Sequence, residues 1–104
     1  MPGEIKLVNF SNSSALYRYC SKNDLGKIYT TNIELSGLKS TVLSFGFDHY
    51  WTEAKIKEYL ASVSRIELIT KTDTITLSDK SEMFNYFKIR RKGIFKKTII
   101  ITLE

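Results

Sequence analysis

The sequence predicts an α+β fold in which an antiparallel or mixed β-sheet carries two to three short helices on one face. Alternating apolar and polar residues indicate six short strands, and helical spacing of apolar residues indicates the helices. Strands and helices are interspersed, which gives the order β-α-β-β-α-β-β-α-β. The 104 residues contain no repeat or linker, so residues 1–104 are expected to form a single α+β domain.

The first predicted elements are a strand and a helix. Residues 5–10 have apolar side chains on both faces, which is typical of a buried strand. Residues 11–14 then offer serine and asparagine as N-caps for a short helix over residues 15–20. Leu16, Tyr19 and Cys20 share one stripe of that helix, so Cys20 is expected in the core.

A hairpin and a second helix are predicted next. Residues 27–35 and 40–47 alternate, and the Gly-containing segment between them has a length suited to antiparallel pairing. The helix that follows has Thr52 as its N-cap candidate, and its apolar stripe runs to Val63. Trp51 before the cap has the spacing of a hydrophobic staple with Ile56.

The remaining elements are a second hairpin, a third helix and a terminal strand. Residues 65–70 and 74–78 alternate across a short turn. Asp79 and Glu82 have the form of a capping box, which starts a helix that ends near Lys88. Residues 94–103 include three consecutive isoleucines, and an uncovered strand of this kind would aggregate. We therefore expect the last strand to be central in its sheet.

Cysteine usage and hydropathy limit where the protein acts. A lone cysteine permits no internal disulfide and does not suit a zinc ribbon. The first residues lack the apolar run of a signal peptide, and no stretch has the 18 or so apolar residues that a membrane span needs. We expect an intracellular, cytoplasmic protein with no membrane partner.

The positive charge of the chain is concentrated near its end. The net charge is +5, and residues 88–97 alone contain six cations and no acid, so that the rest of the chain has ten basic and eleven acidic residues. The segment could project as a finger that neutralises nucleic-acid phosphates, or it could be a solvated turn that discourages edge pairing of the isoleucine-rich strand. The candidate nucleic-acid-binding residues are Lys88, Arg90, Arg91, Lys92, Lys96 and Lys97.

Catalytic chemistry has few candidates in this sequence. Asp48, His49 and Tyr50 precede a helix, but His49 is the only histidine, and neighbours in sequence need not face one another. Cys20 would serve as a nucleophile only if His49 met it in space. We predict no catalytic residues, no metal site, no cofactor and no enzymatic activity.

These features predict a small accessory protein that binds nucleic acid non-specifically through residues 88–97. The alternative is a protein–protein interaction or inhibitor module, for example a host-directed protein of a virus or mobile element, which would engage an acidic partner or pair a strand edge. A nuclease-like enzyme with His49 as base is a third hypothesis. A homodimer is compatible with the sequence, because small sheets often complete themselves across a two-fold axis.

Overall fold

A computed structural model describes residues 3–44, 51–93 and 97–104. Within those residues the chain forms eight strands and two helices, and the strands contribute most of the regular structure. In chain order they are β1 (Glu4–Asn9), β2 (Ala15–Lys22), β3 (Ile28–Leu35), β4 (Ser40–Ser44), α1 (Glu53–Leu60), β5 (Val63–Ile69), β6 (Thr74–Leu77), α2 (Lys80–Ile89), β7 (Arg91–Lys92) and β8 (Thr98–Leu103).

The strands divide between two four-stranded sheets. The first sheet has the order β4-β1-β8-β7, in which β1 and β8 run parallel and the other neighbours run antiparallel. The second sheet has the order β3-β2-β5-β6 and is antiparallel throughout. The predicted α+β class is therefore confirmed, whereas the predicted order of elements is not, and two sheets replace the single expected one.

Both sheets and both helices contribute to one hydrophobic core. Alternate residues of each strand point inward, as the two-residue period of a β-strand requires, and each helix contributes the stripe that faces the sheets. The largest fully buried side chains are Trp51, Tyr17, Phe87, Ile5, Leu7, Ile56, Ile66, Met83, Ile99, Ile101, Leu103 and Val63.

The helix predicted over residues 15–20 is wrong, because these residues belong to β2. Ala15 and Tyr17 point into the core with the two-residue period of a strand, and this period competes with the helical spacing of the same short segment. Cys20 lies on the opposite face, half-buried, with its Sγ 3.6 Å from Thr30 Oγ1. The core position expected for Cys20 was therefore also wrong.

The predicted hairpin of residues 27–35 with 40–47 does not form. β3 pairs with β2 in the second sheet, and β4 pairs with β1 in the first. Residues 36–39 are thus a corner that leads from one sheet to the other, beside the corner of residues 10–14 between β1 and β2. A Cβ at Gly37 would lie 2.4 Å from the Asn12 carbonyl oxygen, so the close approach of the two corners requires glycine there.

Asn9 joins the two corners through its side chain. It is the buried polar residue of the core, 1% exposed. Its Nδ2 donates to the carbonyl oxygens of Ser13, Leu35 and Ser36 at 2.8–3.1 Å. Its Oδ1 accepts from the backbone N–H and the hydroxyl of Ser11 at 3.0 and 2.8 Å. One amide therefore satisfies polar groups from both corners, which an apolar side chain of similar size would leave unpaired.

The predictions for residues 52–103 agree better with the structure. Thr52 caps α1, since its Oγ1 accepts from the Lys55 N–H at 3.1 Å. β5 and β6 form the expected antiparallel hairpin, and β8 is central between β1 and β7. α2 starts after Asp79, although the Asp79 side chain makes no capping hydrogen bond. Val63 begins β5 instead of ending the helix, and residues 45–47 of the predicted strand lie outside the described residues.

Aromatic residues fill the centre of the core beneath the helices. Tyr59 packs against Trp51 and Phe87, with ring centroids 5.9 and 5.7 Å apart. Burial is the main cause that raises the pKa of Tyr17 well above its ordinary value, and the neighbouring Tyr59 adds to it. Burial likewise raises the pKa of Tyr59 to about 12. The Tyr17 hydroxyl has no well-formed hydrogen bond among the described residues.

Replacing Asn9 tests the corner. Asn9→Ala removes the donor for three carbonyls, and we expect the free energy of unfolding to fall by about 2–4 kcal/mol. Asn9→Asp should also destabilise the protein, because a carboxylate cannot donate to those carbonyls. Urea unfolding followed by circular dichroism measures both effects. The exposed Asn12→Asp is the matched control, and equal stability of the Asn9 and Asn12 variants would contradict the assigned role.

The buried tyrosines predict loss of stability at alkaline pH. Their folded pKa values lie above the value of about 10 for an unfolded tyrosine, so their contribution is fully present below pH 10 and is lost as the pH rises toward 12. Tyr17→Phe removes one such group and an unsatisfied hydroxyl. We expect unchanged or higher stability at pH 8 and a shallower loss between pH 10 and 11 in urea titrations. A slope in Tyr17→Phe equal to that of the wild type would contradict this role of Tyr17.

Candidate anion-binding groove

α1 and α2 lie side by side and are antiparallel. Contacts join the start of each helix to the end of the other. At one end the Lys80 ammonium, at the start of α2, donates to the carbonyl oxygens of Leu60, Ala61 and Val63 at the end of α1. A cation on these carbonyls stabilises the negative end of the α1 dipole. At the other end Lys88 Nζ lies 3.5 Å from Glu53 Oε1.

A groove of about 560 Å³ runs along the surface between the two helices. Phe84 forms part of its wall, and two ammonium groups lie over the Phe84 ring: Lys57 Nζ is 5.3 Å and Lys88 Nζ 5.9 Å from the ring centroid. Such cation–π contacts are weak at exposed sites. The residues that line the groove are Lys57, Leu60, Ala61, Lys80, Ser81, Phe84 and Asn85, and none of them is acidic.

The electrostatic character of this groove is positive. Lys57 and Lys80 line it, and Lys88, which pairs with Glu53, lies over the Phe84 ring at its end. Glu53 and Lys88 are both partly exposed, and ion pairs of that kind contribute about 0–1 kcal/mol. Lys57 and Lys88 therefore present ammonium groups next to an aromatic ring, whereas the Lys80 ammonium is already bonded to three carbonyls.

The structure places the two arginines of the basic segment in structural contacts. The Arg90 guanidinium stacks on Tyr86, with Cζ 3.4 Å from the ring centroid, and its Nη1 donates to the Tyr86 carbonyl at 3.0 Å. Arg91 donates from Nε to the Lys88 carbonyl and from Nη1 to the Trp51 carbonyl, both at 3.0 Å. Arg91 thus ties the end of α2 to the start of α1.

The lysines of the basic segment are spread over different surfaces. Lys88 stands at the end of the groove. Lys92 is exposed on the outer face of the first sheet, where it lines a second groove of about 420 Å³ together with Lys6 and Glu4. The carbonyl of Lys97 accepts from the Glu4 N–H at 3.0 Å. Lys96 lies outside the described residues. The described cations therefore do not form one projecting finger, although Arg91, Lys92 and β8 do form the antiparallel pairing of a hairpin.

The catalytic candidates are not brought together in the described residues. Asp48, His49 and Tyr50 lie outside them, and Cys20 lies on the face of β2 that points away from the core. Among residues 3–44, 51–93 and 97–104, no group of three His, Cys, Asp or Glu side chains is placed to hold a metal ion. Neither helix in this part of the chain is long and apolar enough to span a membrane.

Sequence reasoning found Lys88 but missed the other groove residues. Lys80, Phe84 and Lys88 recur every four residues, so the sequence alone places them on one face of α2. That spacing is the signal that could have revealed them. Lys57 could not be found in this way, because its place opposite Phe84 depends on how α1 packs against α2.

No known protein family, curated protein or solved structure matches this chain. The groove is therefore interpreted from its own chemistry. Lysine ammonium groups, one accessible aromatic ring and a small apolar floor suit a ligand that carries negative charge and a flat or apolar part.

Lys80→Met tests how the groove is built. The substitution leaves the Leu60 and Ala61 carbonyls at the end of α1 and the Val63 carbonyl at the start of β5 without their ammonium partner, and we expect the free energy of unfolding to fall by about 1–3 kcal/mol. Lys57→Met is the matched control, because its ammonium contacts only the exposed side of Phe84 among the described residues. Chemical unfolding compares the two. Equal stability would show that Lys80 does not support α1.

Proposed function

We propose that this protein binds single-stranded nucleic acid in the groove between α1 and α2 and along the lysines that follow α2. The observation that carries the proposal is the pairing of Phe84 with Lys57 and Lys88 in a groove without acidic lining residues. Proteins that bind single strands without sequence preference combine aromatic stacking with a positively charged track for the backbone.

Stacking of a base on Phe84 is energetically accessible. A base on an aromatic side chain contributes about 1–3 kcal/mol, whereas each exposed cation–π contact contributes about 0.5–1 kcal/mol. A base can therefore replace Lys57 or Lys88 over the ring. The displaced ammonium groups then remain on flexible side chains beside the ring, within reach of the phosphates on either side of the stacked base.

The phosphate contacts extend the sequence prediction for residues 88–97. Lys88 joins the groove to the basic segment, and the side chain of the exposed Lys92 makes no hydrogen bond or ion pair with the described part of the chain. Arg90 and Arg91 support the end of α2 instead of meeting the ligand. Binding of this kind is salt-dependent and largely independent of sequence.

An acidic peptide is the second candidate ligand. The specific observation in its favour is the apolar part of the groove, formed by Leu60, Ala61 and Phe84, beside Lys57 and Lys80. A peptide with acidic and apolar residues on one face would use the same lysines. Replacement of Phe84 by leucine separates the two ligands, because leucine keeps apolar contact for a peptide but offers no ring for a base.

The test uses fluorescence anisotropy with labelled oligo-dT and oligo-rU of twelve nucleotides at several salt concentrations. We expect Phe84→Leu to weaken single-strand binding about tenfold, from the loss of one stacked base. The slope of log affinity against log salt should fall by about 0.7 for each lysine that contacts a phosphate. We expect this change in Lys57→Gln, Lys88→Gln and Lys92→Gln.

The control is Lys71→Gln in the exposed turn between β5 and β6, which removes the same charge far from both helices in sequence. Affinity that does not change with salt, or an equal effect of Phe84→Leu and Lys71→Gln, would contradict the proposal. Retained binding of an acidic peptide by Phe84→Leu, with no binding of either oligonucleotide by the wild type, would favour the second candidate.

A further inference from the structure

β3 is the long free edge of the second sheet. It has eight residues, whereas the other edge strands β4, β6 and β7 have five, four and two. Its pairing with β2 has no register shift from one end to the other. Natural proteins protect edges with proline, bulges or central charges. β3 has none of these, and its one charged residue, Glu34, lies next to its end.

The backbone groups that β3 offers can be identified from its pairing with β2. The Asn23 N–H donates to the Lys27 carbonyl at 2.9 Å, at the start of the β2–β3 ladder. Hydrogen-bonded and non-hydrogen-bonded pairs alternate along an antiparallel ladder. Hence the odd-numbered residues of β3 bond to β2, and the even-numbered ones direct their N–H and C=O groups outward: Ile28, Thr30, Asn32 and Glu34.

We propose that two copies of this chain form a dimer by antiparallel pairing of β3 with β3 about a two-fold axis at Thr31. A two-fold axis normal to the sheet leaves each side chain on its own face of the sheet. Residues that lie directly opposite each other must share a face, so the axis must pass through a residue position and not between two residues. The register centred on Thr31 uses all four outward-facing residues: Ile28 pairs with Glu34 of the second copy, and Thr30 pairs with Asn32. Centring on Asn32 would leave Ile28 without a partner in the strand.

Side chains on both faces fit this register. On the inner face Tyr29, 46% exposed in one copy, lies opposite Ile33 of the second copy, an aromatic and β-branched pair that stabilises sheets. On the outer face Ile28 lies opposite Glu34 of the second copy. On its other side Ile28 has Lys22 of its own β2, so that opposite charges flank the isoleucine. The two Glu34 side chains stand at opposite ends of the shared ladder and do not repel one another.

Exposed apolar residues also lie just beyond both ends of β3. Asn23 Oδ1 accepts from the N–H groups of Leu25 and Lys27 at 3.0 and 2.8 Å, which fixes the β2–β3 turn. Leu25 at this turn is 92% exposed. Leu38, in the corner of residues 36–39, is 66% exposed.

Cysteine cross-linking tests the dimer and its register. In a Cys20→Ser background, Thr31→Cys places two thiols opposite each other in a non-hydrogen-bonded pair, where Cα atoms are about 4.5 Å apart and suited to a disulfide. We expect a disulfide-linked dimer on oxidation, formed about tenfold faster than with Thr30→Cys or Asn32→Cys, whose thiols are offset along the ladder. Faster cross-linking of either control would overturn the register.

Light scattering after size-exclusion chromatography tests the dimer without cross-linking. We expect the wild-type chain to have the mass of two copies and Thr30→Pro to have the mass of one, because Thr30 directs its N–H outward and β2 does not need it. Circular dichroism checks that Thr30→Pro is folded. A wild-type chain with the mass of one copy at all concentrations, and no cross-link through Thr31→Cys, would overturn the proposal. Neither result depends on nucleic-acid binding, since the α1–α2 groove is not altered.

Discussion

The fold depends on the Asn9 amide, which holds together the two places where the chain passes between the sheets. Its side chain bonds to both corners, and its backbone N–H donates to the Lys39 carbonyl at 2.9 Å. The corners approach so closely that Gly37 has no room for a Cβ. β1 leaves the first sheet here and β4 returns to it here, so this contact joins the two points at which the chain changes sheet. A one-residue shift at either corner would expose one face of the core.

Hydrogen bonds at the other end of β1 position the helices of the candidate groove. β1 fixes the start of α1, because Trp51 Nε1 donates to the Glu4 carbonyl at 3.0 Å. Arg91 then binds the Trp51 carbonyl and so joins the end of α2 to the start of α1. Lys80 joins the opposite ends of the same two helices. The helices are therefore held at both ends, and a preformed groove of this kind would lower the entropic cost of the proposed binding.

The sequence predicts best where a local signal acts alone. Thr52 as a cap, the β5–β6 hairpin and the central isoleucine-rich strand all follow from neighbouring residues. β2 was predicted as a helix because about six residues can satisfy the helical and the strand period at once. Tertiary contacts then decide which secondary structure such a segment adopts. The pairing of β3 and β4 with different strands depends on Asn9, whose partners are up to 27 residues away. In the groove, Lys88 was predicted and Phe84 was predictable, but the meeting of Phe84 with Lys57 required the packed helices.

The two kinds of basic side chain in residues 88–97 differ in their contacts, and their chemistry explains the difference. Arg90 and Arg91 use a planar fork of donors to bind carbonyls and to stack on Tyr86, tasks for which guanidinium is suited. Lysine carries a compact charge on a flexible chain, and Lys88 and Lys92 keep that charge near the surface. Within residues 88–97, the arginines therefore make structural contacts, whereas Lys88 and Lys92 keep their charges near the surface. Arginine supports the end of α2, and the proposed anion contacts fall to Lys88 and Lys92.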